Sequence, residues 1–142
     1  MKKLIFLGGT AANNNWRGDF VRELMNRGLK EDNFFNPVVS EWNDEAQRRE
    51  ETAKREAAYL VFYIADPKQD GNPLSAYSMV EATMALYDKP ERTVVIFDTD
   101  GMNGHPLKAM NQTLKVLITR FPDANIFGTR IKAINWLSEQ PR

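Results

Sequence analysis

Two glutamates stand where a carboxylate needs a reason to be. On a helix, Glu81 has Tyr77, Ser78, Met84 and Ala85 as its neighbours at three and four positions, so its acid emerges from an uncharged row. An acid turned toward a sheet is costly without a partner or a use. The plainer alternative is an acid at the edge of a buried stripe with its head in water. Glu50 shares a helical face with Trp42, Ala46, Ala53 and Ala57, while Arg48, Glu51, Lys54 and Arg55 point elsewhere, so it interrupts the only apolar stripe of its helix. Here the alternatives are solvation or an i,i+4 pair with Lys54. Two carboxylates in one cleft are what glycosyl transfer needs: one to attack or stabilise an oxocarbenium-like centre, the other to position a hydroxyl or handle a proton.

Other residues offer binding rather than chemistry. The Gly8-Gly9-Thr10 turn permits close backbone approach, and its N–H groups with the next helix's N-terminus would favour an anion such as phosphate; a tight turn that simply needs glycine fits equally well. The turn matches neither the Walker pattern nor Gly-x-Gly-x-x-Gly, so neither a nucleoside triphosphatase nor a dehydrogenase is inferred. Trp16 could stack on a base and Arg17 pair with a phosphate, or Trp16 could pack across the sheet edge. His105, the sole histidine, lies in a Gly- and Pro-rich loop with Asp98 and Asp100; with no second histidine, a turn is expected there and no metal site.

The elements that must position these residues are legible from the pattern. Leu4 to Leu7, Tyr59 to Ala65, Thr93 to Phe97 and Asn125 to Phe127 read as strands, with a weaker one over Phe34 to Val39 bent at Asn36-Pro37. Helices are expected from about Phe20 to Met25 with a stop at Gly28, Asn43 to Ala57, Pro73 to Tyr87, Leu107 to Phe121, and around Ile131 to Leu137. The strands are continuous rather than alternating, which implies a parallel sheet covered on both faces. The expected architecture is therefore α/β: a flavodoxin-like, doubly wound, five-stranded sheet of order 2-1-3-4-5, one domain over residues 1–142. Ligands of such sheets bind beyond the strands' carboxyl ends where the order reverses, here between Gly8 to Asn15 and Asp66 to Ser78.

Bulk properties narrow the partners. Lysine plus arginine and aspartate plus glutamate each total 19 in 142 residues, so no overall field gathers a nucleic-acid polymer or an anionic membrane. Cysteine is absent, which excludes disulfides and thiolate chemistry and suits a reducing compartment. The apolar run after Lys2 and Lys3 ends too soon for an export signal, and no stretch nears the roughly 20 apolar residues of a membrane span. A cytoplasmic location is expected.

Several blocks together resemble the nucleoside 2-deoxyribosyltransferase-like family. They are Phe6-Leu7-Gly8-Gly9-Thr10 with Trp16-Arg17, Phe35-Asn36-Pro37-Val38-Val39 with Trp42, Gln47 with Glu50, the strand ending at Asp66-Pro67, Ser75 through Ala82, and Lys89-Pro90-Glu91-Arg92-Thr93. The resemblance implies the same fold and cleavage of an N-glycosidic bond in a 2-deoxyribonucleoside, with Glu81 attacking the anomeric carbon and a second base or water then taking the sugar, with net retention. It implies that Glu50 helps arrange the substrate, that Asn36 falls in a pocket-lining block, and that Gly8, Gly9 and Thr10 lie near the ligand. It implies no cofactor, and homo-oligomers that commonly complete their sites across a subunit interface. Where classical members carry an aspartate six residues before the nucleophile, this chain has Ser75, so either Asp70 substitutes or the chemistry differs; Glu81-Ala82-Thr83 also replaces the familiar Glu-Leu-Gly. Ser75 and Ser78 could instead receive a phosphate, giving a nucleotide N-glycosidase. A nucleotide-derivative binding module without catalysis, and a hydrolase of NAD-like glycosides, complete the alternatives.

Overall fold

Seven consecutive apolar residues, Tyr59–Ala65, can be covered on both sides only in the middle of a sheet, and that is where they lie. In the computed structural model, whose description covers residues 4–9, 16–38, 41–65 and 76–141, this strand is β3. It pairs in parallel with β1 (Ile5–Gly9) on one side and β4 (Thr93–Asp98) on the other. β2 (Phe34–Phe35) flanks β1 and β5 (Asn125–Phe127) flanks β4, giving the expected all-parallel order β2-β1-β3-β4-β5.

The helices are α1 (Trp16–Asn26), α2 (Asp44–Glu56), α3 (Ala76–Asp88), α4 (Gly104–Arg120) and α5 (Arg130–Ser138). Alternate strand residues feed opposite cores. Ile5, Leu7, Val61, Tyr63, Val94 and Ile96 pack against Trp16, Phe20 and Leu24 of α1 and Ala133, Ile134 and Leu137 of α5. Phe6, Leu60, Phe62, Ile64, Val95 and Phe97 pack against Ala53 of α2, Ala82 and Leu86 of α3, and Met110 and Leu117 of α4. Helices on both faces make the sheet doubly wound, with the single crossover reversal between β1 and β3. No helix among the described residues is long and apolar enough to cross a membrane.

Three local differences from the sequence reading have plain causes. β1 runs on through Gly8 and Gly9, because glycine needs no room beside β3. β2 stops after two residues instead of reaching Val39: Pro37 has no amide to give a ladder, and the Asn36 side chain accepts from the Val38 amide at 3.0 Å, bending the chain away. α4 begins at Gly104, so His105 sits in a helical first turn, where a proline at 106 is tolerated, and not in a loop.

Two devices fix the helices that carry the acids. Asn43 caps α2, its side chain accepting from the Ala46 amide at 2.8 Å. At the far end, Lys89 Nζ donates to the carbonyls of Lys54 and Arg55 at 2.9 and 2.8 Å, so the chain just after α3 holds the C-terminal end of α2. The buried Thr93 hydroxyl reaches the carbonyls of Ala85 and Lys89 at 3.1 and 2.8 Å and seats this clamp on β4.

Candidate active site

At the reversal between β1 and β3 a crevice of about 530 Å³ opens above the carboxyl end of the sheet. Gly8 and Gly9 form its floor, with Arg17 beside them. Pro37, Val38 and Trp42 make one wall, Gln47 and Glu50 of α2 a second, and Tyr77, Ser78 and Glu81 of α3 the third. The expected location between the first and third strands is thus where the largest share of the predicted residues gathers.

Glu50 and Glu81 come together here from different helices. The Glu50 carboxyl is pushed up to about 7, first by burial and then by the negative charge of Glu81, with Lys54 pulling the other way. The backbone explains why Glu50 is inside at only 5% exposure: it lies on the Ala46–Ala53 face that α2 presents to the sheet. Glu81 projects from α3 beside Ser78 and Ala82, and its side chain is 10% exposed. Lys54 closes the group. Its ammonium lies 2.9 Å from Glu81 Oε2, 3.0 Å from Glu51 Oε1 and 3.8 Å from Glu50 Oε1. Tyr77, half exposed at the rim, has its phenol pushed up by partial burial and by Glu81.

The floor is built by Arg17. Its Nε donates to the Leu7 carbonyl at 3.0 Å and Nη2 to the Gly9 carbonyl at 3.3 Å, fixing the end of β1 to α1. Burial lowers this guanidinium to about 10, and the Glu81 carboxylate offsets part of that effect, so it remains cationic at neutral pH. Gly9 has φ of 116°, and a Cβ there would overlap the backbone nitrogen and carbonyl oxygen of Tyr63. Close approach of β1 to β3 therefore requires this glycine whatever binds above it.

The remaining predicted residues divide. Ser78 is buried on the crevice wall. Trp16 is fully buried, its ring 4.9 Å from Tyr63 and 5.8 Å from Phe20, so it belongs to the core and cannot stack on a ligand. Asn36 is exposed and occupied with the Val38 amide, while its successors Pro37 and Val38 face the crevice. Thr10, Asp66, Asp70 and Ser75 lie outside the described residues.

Three participants were not among the candidate site residues of the sequence. Lys54 was read as pointing away from the apolar stripe or as an i,i+4 partner of Glu50; that pair is present at 3.8 Å, but the ammonium's shorter contact, at 2.9 Å, crosses to Glu81. Trp42 stands just before the Asn43 cap, 55% exposed, with its ring on the crevice wall; its presence in a family-like block was the available signal. Gln47, one turn before Glu50, carried the same signal.

A parallel sheet of this order, with two acids from adjoining helices lining its reversal crevice, defines a flavodoxin-like α/β protein. The family model described as nucleoside 2-deoxyribosyltransferase like matches residues 2–100, and the chain belongs to that family. A nucleoside deoxyribosyl-related activity follows at the level of the family. The matched span holds β1 through β4 and all of the crevice residues named above; α4, β5 and α5 lie beyond it. No curated protein matches the chain.

Proposed function

We propose that the protein cleaves the N-glycosidic bond of a 2-deoxyribonucleoside or its nucleotide through a covalent intermediate on Glu81. The observation that carries this reading is the meeting of Glu50 and Glu81 in the reversal crevice, one acid holding a proton near neutral pH and the other paired with a cation. A Glu81 oxygen attacks the anomeric carbon as the carbon–nitrogen bond breaks, and the base leaves with the bonding electrons and takes a proton from solvent on the open side. Water, or a second base, then attacks the same carbon, returns the carboxylate to Glu81 and loses its proton to solvent, with net retention.

The position of Glu50 argues for a particular role. Because it lines the same crevice as the nucleophile and both acids reach the one Lys54 ammonium, at 3.8 and 2.9 Å, it sits on the face of the sugar from which attack comes, opposite to the departing base. It therefore holds the nucleophile and a sugar hydroxyl on that face and does not protonate the base. Trp42, exposed on the wall, offers a flat apolar surface to a base.

The test is incubation with deoxynucleosides and their 5′-monophosphates, with and without a second free base, following free base by chromatography and the protein by intact mass. Base release, with a sugar adduct mapped to Glu81 and both lost in Glu81→Gln, supports the reading. No turnover by the natural protein across the panel refutes it. Thermal stabilisation by a nucleotide that is unchanged in Glu81→Ala, without product, would select a binding module instead.

A further inference from the structure

The outer face of α3 carries no charge for about three turns. Tyr77, Val80, Met84 and Tyr87 line it, each between 56 and 59% exposed. The one acid between Tyr77 and Tyr87, Glu81, is turned into the crevice with its side chain only 10% exposed. Single apolar residues on a surface need no explanation, but four in one row do, since a helix facing water carries charges on that side. The four are spaced 3, 4 and 3 residues apart, as in the seam of a coiled coil. Their types, aromatic, apolar, apolar, aromatic, read the same from either end. Beside the stripe, between α3 and α2, runs a groove of about 490 Å³ lined by Val80 and Met84 with Leu60 and Phe62 of β3, which gives facing side chains a place to enter. Tyr87 is already held from α4: its ring meets Phe121 edge-on at 4.8 Å, and the Arg120 guanidinium lies 5.0 Å from its centroid, so the ring is set before any partner arrives.

We propose that this face docks a second copy of the chain, with the two α3 helices packed antiparallel about a two-fold axis, Tyr77 against Tyr87 of the partner subunit and Val80 against the partner's Met84. A two-fold contact uses the same patch on both copies, residue i meeting j while j meets i, and a stripe symmetric about its midpoint at Ala82 meets that condition with itself. A charged peptide, a nucleic acid or a lipid headgroup would find no counter-charge along the stripe. Charge also sets the direction. Parallel helices would align their dipoles and bring the two copies of Asp88, exposed at the end of α3, side by side; antiparallel helices separate them and set each near the positive N-terminal end of the other α3. The exposed halves of the four side chains amount to roughly 400 Å² per copy, below the ~800 Å² of a standard interface, so the dimer is reversible, with a Kd of about 10–100 µM. Tyr77 also lines the crevice, so pairing brings the partner's Tyr87 to the crevice mouth and links association to occupancy of the site. The pairing itself does not depend on which reaction the crevice carries.

The test is sedimentation velocity of the full chain from about 5 to about 300 µM, a range in which the natural protein should pass from monomer to dimer. Val80→Lys and Met84→Lys, both at exposed positions and checked for folding by circular dichroism, should each remain monomeric throughout. Ile131→Lys, at a 50% exposed position on α5 across the sheet, should dimerise like the natural protein. Because the chain has no cysteine, introduced ones read the direction of pairing. At about 300 µM under mild oxidation, Tyr77→Cys mixed with Tyr87→Cys should give a disulfide-linked dimer at least about tenfold faster than either variant alone, since antiparallel packing brings position 77 to position 87 and keeps each far from its own copy. A natural protein that stays monomeric to about 300 µM, a dimer left intact by Val80→Lys and Met84→Lys, or a single cysteine variant that cross-links as fast as the mixture overturns the proposal.

Discussion

Replacing Glu50 with glutamine should make the folded protein more stable in mildly alkaline solution. A glutamate with an ordinary value of 4.5 is pushed up to about 7 in the folded state, chiefly by burial and then by Glu81. The folded state thus holds this proton more tightly than the unfolded chain does. The stabilisation is fully present below 4.5 and is lost as pH rises through about 7. At about 1.4 kcal/mol for each tenfold in proton affinity, the gap amounts to roughly 3 kcal/mol, and relaxation around Lys54 lowers the expected effect to about 1–3 kcal/mol. Glutamine has the same shape and carries no charge. For a chain of 142 residues this corresponds to a Tm higher by roughly 3–10 °C near pH 8.5, converging on the natural protein toward about pH 4.5. Differential scanning fluorimetry of both proteins across that range reads the effect. Two curves that run parallel from acid to alkali would refute the placement of a buried, proton-holding acid at position 50.

Three further outcomes are expected. Glu81→Gln should lower deoxyribosyl release by about 10³-fold or more, as read by chromatography, in a protein that scanning fluorimetry still shows to unfold cooperatively at a somewhat lower Tm, since the Lys54–Glu81 ion pair is lost. Trp42→Ala removes a surface that is 55% exposed, so stability should change little, whereas KM for a nucleoside should rise about tenfold, in line with the ~1–3 kcal/mol of stacking a base on an aromatic ring. Gly9→Ala, with φ of 116° and a methyl group driven against the Tyr63 backbone, should cost about 3 kcal/mol or more in urea unfolding, and substrate should not restore it.

How far the sequence revealed this molecule depended on which interactions were local. Tyr59–Ala65 reads as a central strand because a run of seven apolar residues has no other stable home, and the strand order then follows from strand number and short connections. Glu50 was visible because it breaks a row of alanines, a contrast that survives without coordinates. Lys54 was visible only as an i,i+4 partner of Glu50; its reach to Glu81 was not, because helical spacing gives the direction of a Cβ, and a side chain with four methylenes can end well away from it. Trp16 offered two equal readings because a buried aromatic and a stacking one have the same type, and only its contacts with Phe20 and Tyr63 separate them. His105 was placed in a loop by its Gly and Pro neighbours, yet those residues also suit a helix's first turn.

The alanines beneath α2 have one more consequence. Ala46, Ala53 and Ala57 bring the helix close to the sheet but bury little surface, so its hold on the rest of the molecule leans on polar fastenings: the Asn43 cap, the Lys89 grip and the Lys54–Glu81 bond. Gln47, Glu50 and Lys54 all ride on that one lightly anchored rod, so any departure of it dismantles one side of the crevice in a single motion and leaves Glu81 without either neighbour. Occupancy of the crevice and attachment of this rod are then the same equilibrium seen from two ends, and whatever bridges the two walls tightens both.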